Sequence, residues 1–160
     1  MDIGLLSDQF TVRRLDAQDA DLIFELSRKN ELFYKYHPPF VTKESILDDL
    51  RALPPEKGYE DKYYVGFFAG ETLVALMDLI LAYPAPETAL IGLFMMDAGY
   101  QGKGIASAII GDVCRCLKRL GFQKVRLGVD KGNPQSFAFW SKNQFQVVGE
   151  ETYIHMERIL

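Results

Sequence analysis

The chemistry of this sequence concentrates in eight residues, Gly99-Tyr-Gln-Gly-Lys-Gly-Ile-Ala106. Glycines there let the backbone come close to a ligand. The residues that follow begin an amphipathic helix, whose N-terminal N–H groups carry partial positive charge and suit a phosphate. Two familiar phosphate loops do not fit. A P-loop needs G-x-x-x-x-G-K-S/T, and Lys103 is followed by Gly104. A dinucleotide fingerprint, G-x-G-x-x-G, counted from Gly102 and Gly104 ends on Ser107. A second chemical feature is Asp78, a carboxylate between Met77 and Leu79 in an apolar run. Burying it is costly unless it is paired or functional, so it is either a proton acceptor or a structural carboxylate bonded to backbone or Arg. Glu31, Tyr34, Tyr36 and His37 cluster before Pro38-Pro39 in an aromatic segment that on its own reads as ordinary surface aromatics, and His155 alternates within the last apolar segment.

The elements that must position these groups follow from periodicity. Phe10 to Leu15 alternates as a first strand, and Asp16 or Asp19 caps a helix through Ala20, Ile23, Phe24 and Leu26. Asn30 to Phe40 reads as irregular. Thr42 caps a second helix carrying Ile46, Leu47 and Leu50, with Ser45 where a capping-box acid would stand, so the cap is half formed. Tyr63 to Ala69 and Thr72 to Ala82 form a hairpin around Gly70-Glu71, and a third strand runs from Ala89 to Asp97. Asp97, at its end beside the glycine loop, reads as a turn residue. Ile105, Ile109, Val113, Leu117 and Leu120 mark one face of a helix ending at Gly121. Lys124 to Asp130 is a strand, and Asn133-Pro134 opens a short helix to Asn143. The order is βααβββαβα followed by one or two strands: an α/β protein with a mixed sheet.

Composition narrows the function classes. The chain has 160 residues, 48% hydrophobic and 25% charged, with a formal net charge of −4, which fits one soluble domain and argues against nucleic-acid binding. The apolar run from Thr72 to Ala82 is too short for a membrane span. The N-terminus carries no basic region followed by an apolar run, so a cytoplasmic protein is expected. Cys114 and Cys116 point to different faces of a helix, which fits two core thiols rather than a disulfide, and no metal-binding spacing occurs.

Gln101-Gly-Lys-Gly-Ile-Ala106 resembles the pyrophosphate loop of the GNAT acetyltransferase superfamily, Q/R-x-x-G-x-G/A, with Gln101, Gly104 and Ala106 at its defining positions. Ile91-Gly-Leu-Phe-Met-Met-Asp97 looks like the family's fourth strand and Lys124 to Asp130 like its fifth. Asn133-Pro-Gln-Ser-Phe-Ala-Phe-Trp-Ser-Lys-Asn-Gln-Phe145 is similar to its second motif, N-x-x-A-x-x-x-Y-x-K-x-G-F. The resemblance implies the GNAT acyltransferase fold and transfer of an acetyl group from acetyl-CoA to a primary amine by direct attack in a ternary complex. It implies no metal and a possible homodimer. Gln101, Gly102, Lys103, Gly104, Ile105 and Ala106 would then hold the CoA pyrophosphate. The exposed edge of Phe94, Met95 and Met96, where a bulge splays the fourth strand from the fifth, would pair with the pantetheine arm. Asn133, Ser136, Phe139 and Trp140 would flank it, although Asn133 is equally well a helix cap.

The departures matter for chemistry. Trp140 stands where many members have a Tyr that protonates the leaving thiolate, and an indole N–H is no usable acid. A thiol pKa of about 8.5 lets thiolate leave without one. An alkylamine is neutral in only roughly one molecule per two or three thousand at pH 7, so a route for its proton is required. Asp78 and Tyr36 are the catalytic candidates, and Glu31, Tyr34 and His37 the acceptor-side ones. Only fifteen residues follow Phe145, which predicts a tight terminal hairpin turning near Gly149-Glu150 and an open acceptor side. The other readings are an acyl-CoA-binding sensory module with little turnover and a domain that binds ATP or NAD.

Overall fold

The computed structural model describes all 160 residues. Seven strands, Thr11–Arg14 (β1), Lys62–Ala69 (β2), Thr72–Ile80 (β3), Thr88–Met96 (β4), Lys124–Asp130 (β5), Gln146–Glu150 (β6) and Tyr153–Ile159 (β7), form one sheet ordered β1-β2-β3-β4-β5-β7-β6. Only β4 and β5 run parallel, through a crossover on Ile105–Arg119 (α4). Helices Ala20–Ser27 (α1), Glu31–Tyr36 (α2) and Lys43–Arg51 (α3) follow β1, and Pro134–Lys142 (α5) joins β5 to β6. No helix is long and apolar enough to cross a membrane.

Two cores lie on opposite faces of the sheet. One gathers Val65, Phe67, Met77, Leu79 and Ile91 beneath α4 and α5, through Ile109, Ile110, Val113, Leu117, Trp140 and Phe145. Cys114 and Cys116 are buried there as free thiols. The other packs Tyr64, Phe68, Leu73, Leu76 and Met95 under α1 and α3, through Ile23, Leu26 and Ile46. Alternation along each strand sends successive side chains to opposite cores, except where a bulge reverses the parity. Val74 is one such residue: Phe67 pairs Ala75 while Phe68 pairs Leu73. Gly92 is another: Asp78 pairs Leu93 while Leu79 pairs Ile91.

Three expectations are corrected. The segment after Asn30 is not irregular: Glu31–Tyr36 is helical, and α2 lays Phe33 and Tyr34 on the α1–α3 core. The α3 cap is complete, because the Ser45 hydroxyl accepts the Thr42 N–H at 2.9 Å while the Thr42 hydroxyl accepts the Ser45 N–H at 3.0 Å. A hydroxyl thus serves where a carboxylate was expected. The terminal hairpin turns at Glu151-Thr152, with the Glu151 N–H donating to the Tyr153 carbonyl at 2.9 Å.

Candidate active site

The glycine loop has the backbone that its glycines require. Gly102 and Gly104 have φ of +75° and +77°, where a Cβ would strain the chain, and Gly104 is the left-handed residue from which α4 starts. The N–H groups from Gly102 to Ser107 have no acceptor within the protein; the first paired one is that of Ala108, donating to the Gly104 carbonyl at 3.1 Å. Consecutive free donors at the N-terminus of a helix from Ile105 to Arg119 make a cradle for a diphosphate. Gln101 turns the other way. Its Nε2 donates to Asn30 Oδ1 at 2.9 Å, and Asn30 Nδ2 donates to the Met96 carbonyl at 3.0 Å. The side chain therefore ties the loop to β4 and to the start of α2. Asp97 is the expected turn residue, its carboxylate accepting the Gly99 N–H at 2.8 Å.

Below the loop, β4 and β5 part. They pair only from Thr88 and Lys124 to Ile91 and Leu127, and separate where Gly92 bulges. The Asp97 N–H donates to the Val74 carbonyl at 2.7 Å, which fixes the antiparallel alternation. Met95 is turned to β3, whereas Phe94 and Met96 turn their backbone groups toward the gap. Met95 is thereby corrected: its backbone belongs to the β3 ladder and its side chain is buried in the α1–α3 core. Phe94 stacks on Phe139 with centroids 6.2 Å apart, giving the gap an aromatic wall. Trp140 is buried behind them, edge-on to Phe139 and Phe145, and supports the wall without forming its surface. Asn133 caps α5 by accepting the Ser136 N–H at 3.1 Å.

On the α1–α3 face, level with the Gly92 bulge, lies Asp78. Its Oδ2 accepts from Lys62 Nζ at 2.8 Å, while Oδ1 is buried without a hydrogen-bond partner. A Cβ at position 92 would stand 3.2 Å from Oδ2, so the carboxylate lies directly against the bulge. Burial raises the Asp78 pKa above the ordinary carboxylate value, and the Lys62 ammonium partly offsets this. Asp49 on α3 is also raised by burial, against the pull of Lys62 and His37. The pairing expected for a structural carboxylate is thus present in half: one oxygen is held, the other is open.

The acceptor-side candidates separate. Tyr34 is half-buried, edge-on to Phe33 at 4.9 Å, and desolvation pushes its hydroxyl up to about 12. Tyr36 is half-exposed with the Lys35 ammonium 5.4 Å from its ring centroid. Glu31 is exposed on the first turn of α2. His37 places Nδ1 3.0 Å from Asp130 Oδ1 and stacks on Tyr153, joining α2 to β5 and β7. The short terminal hairpin brings the Tyr153 ring alongside that of His37, with centroids 6.2 Å apart. A cavity of about 290 Å³, lined by Arg14, Asp16, Arg51, Tyr59, Lys62 and Tyr64 among others, includes no residue of the glycine loop. No group of three His, Cys, Asp or Glu side chains is placed to hold a metal ion.

Lys62, Asn30 and Asp130 contact the candidate residues and Asp49 contacts Lys62; none stands in the sequence patterns that marked those candidates. The signal for Lys62 was a cation at the edge of an apolar strand, at a position the hairpin count assigns to the other face.

Residues 23–145 match the profile of the acetyltransferase (GNAT) family. The chain belongs to that family. It is similar to spermidine N(1)-acetyltransferase of Thermoplasma acidophilum, 23% identical over 147 residues that cover 85% of this chain and 88% of the relative. Its fold is that of an acetyltransferase from Thermus thermophilus, with a TM-score of 0.81 and 22% identity, over 95% of this chain and 97% of the other. The T. acidophilum PaiA N-acetyltransferase, crystallised with coenzyme A, superposes with a TM-score of 0.72 and 20% identity, over 94% and 99%. As a GNAT acetyltransferase the protein uses acetyl-CoA as co-substrate and transfers the acetyl group to nitrogen.

Proposed function

We propose that this acetyltransferase acylates a small cationic primary amine by direct attack on acetyl-CoA, with Asp78 as the proton acceptor. The diphosphate of the coenzyme lies on the free N–H groups from Gly102 to Ser107, and its amide arm runs along the Phe94 and Met96 edge of β4. The acceptor enters beneath α2, between His37 and the Asp78 carboxylate. The observation that carries this reading is the unpaired, buried Oδ1 of Asp78, on a carboxylate whose other oxygen lies against the bulge at which β4 leaves β5. An unpaired buried acceptor is unfavourable, and a substrate N–H relieves it.

The steps balance without a further reactant. The bound ammonium releases one proton to solvent, and the neutral nitrogen attacks the thioester carbon. Charge develops on the carbonyl oxygen, where a gap-facing β4 N–H, Phe94 being the one next to Leu93 and the bulge, stabilises it. Asp78 Oδ1 takes the second nitrogen proton, the C–S bond breaks, and coenzyme A leaves as thiolate. Support for a small amine comes from the similar Thermoplasma protein, which is a spermidine acetyltransferase.

Thiol release by the purified protein, with acetyl-CoA and a panel of diamines, polyamines, aminoglycosides and lysine peptides, tests this. Release that requires both substrates and yields a stable N-acetyl product is expected. Tight coenzyme binding with no acceptor-dependent release across the panel overturns it.

A further inference from the structure

Lys62 begins β2, yet its side chain is among the least accessible of the charged groups, 4% exposed. Its ammonium has three donors, and each has an acceptor: Asp78 Oδ2 at 2.8 Å, the Asp49 carbonyl at 3.0 Å and the Ala52 carbonyl at 2.9 Å. The last two lie at the C-terminal end of α3, where the helix dipole presents negative charge. Lys62 therefore has no donor left for a substrate and no freedom to swing away.

We propose that Lys62 is the positioning residue of the transfer reaction: clamped by the end of α3, it keeps the Asp78 carboxylate ionised by holding Oδ2, and so leaves Oδ1 as the proton-accepting atom. This rests on the reading of Asp78 as proton acceptor. The groups around the carboxylate favour such a role. From β2 come Lys62 and Tyr64, the latter directly opposite Asp78 in the ladder. From α3 comes Asp49, and from α2 come Tyr34, near Tyr64 and Asp49, and His37, near Asp49. β4 contributes Gly92 and Leu93, which carry no charge. Asp49 and the tyrosines disfavour or ignore a negative charge at Asp78, so Lys62 is the cation in direct contact with it. Desolvation disfavours the charged carboxylate, and the ammonium at contact distance opposes that, offsetting part of the upward shift.

The test compares pH profiles of kcat/KM for the wild type, Lys62→Met and Lys62→Arg, using one amine so that its own ionisation cancels between proteins. In Lys62→Met the acid limb moves up by about one pH unit or more, while activity on the alkaline plateau returns toward wild type. Lys62→Arg keeps the limb near its wild-type position, because the charge is restored. A folded Lys62→Met protein with an unmoved limb overturns the proposal. Should that variant not fold, NMR of the wild type decides: the Lys62 ¹⁵Nζ resonance is expected to shift with the same midpoint as the Asp78 carboxyl ¹³C. A Lys62 signal blind to that titration overturns it. Full activity in Asp78→Asn overturns the proton-acceptor reading and with it the role of Lys62 in transfer, whereas an unmoved limb in folded Lys62→Met beside a slow Asp78→Asn overturns the Lys62 proposal alone.

Discussion

Single residues here act through what they leave unpaired. Gly104 has a left-handed backbone, and a Cβ built on it would touch nothing within 4 Å. Gly104→Ala therefore costs backbone strain and no clash, about 1–2 kcal/mol for a non-glycine residue in that region. The loop escapes the strain by shifting its N–H groups, and calorimetry with coenzyme A is expected to show affinity falling by roughly 5- to 30-fold. Its melting temperature should change little, because Gln101 to Gly104 are exposed and a Cβ at Gly104 meets nothing. Gly92 is different: a Cβ there would stand 3.2 Å from Asp78 Oδ2, so the carboxylate would have to give way slightly.

At the scale of elements, α5 ends in a way that its sequence resists. Gln144 has φ of +73°, and the Phe145 N–H donates back to the Trp140 carbonyl at 3.1 Å, a Schellman-type end that favours glycine. Gln144→Gly is expected to stabilise the protein by about 1 kcal/mol in urea unfolding, with activity unchanged. An unaltered midpoint would show that the side chain contributes contacts that outweigh the strain. The same scale explains how much could be read in advance. Helices α1, α3, α4 and α5 and strands β1 to β5 announced themselves by periodicity and caps, and the glycine loop by composition, whereas the C-terminal segment read only as one or two strands. Lys62 did not. A hairpin counted straight from Gly70-Glu71 sets Asp78 opposite Tyr63 and sends Lys62 to the other face. Val74 adds one residue, the pairing becomes Tyr64 with Asp78, and Lys62 joins the carboxylate. Bulges are tertiary features with weak local signals, and this one decides the site. Phe33 and Tyr34 likewise gave no helical period over six residues, and α2 is held by the core it covers.

For the whole molecule, the sheet is two pieces, β1–β4 and β5–β7, that share only four residue pairs before parting. His37 bridges them on the α2 side, and Asn143, donating to Ser107 at 3.1 Å, bridges the crossover helices on the other. The opening between the pieces is where the coenzyme arm should make its backbone bonds. Hydrogen exchange is expected to slow at Phe94, Met96 and the loop from Gly102 to Ser107 when coenzyme A is added, and to stay unchanged at Met95, which is already paired to β3. Equal protection at Met95 and Phe94 would contradict that arrangement. The net charge of −4 gives no hint of a diphosphate site, since the site is built from backbone N–H groups at one helix end.

The most direct test of the account is the pH dependence of acetyl transfer by Asp78→Asn beside the wild type, with the coenzyme affinity of both measured. Burial raises the folded-state pKa of Asp78 above its usual 3.8, so the carboxyl is protonated and unable to accept below that raised value. Wild-type activity should fall as pH drops through it. The account predicts that Asp78→Asn binds coenzyme A as the wild type does, turns over about 10²- to 10⁴-fold more slowly, and loses that acid limb. A variant with wild-type turnover and an unchanged limb would contradict it.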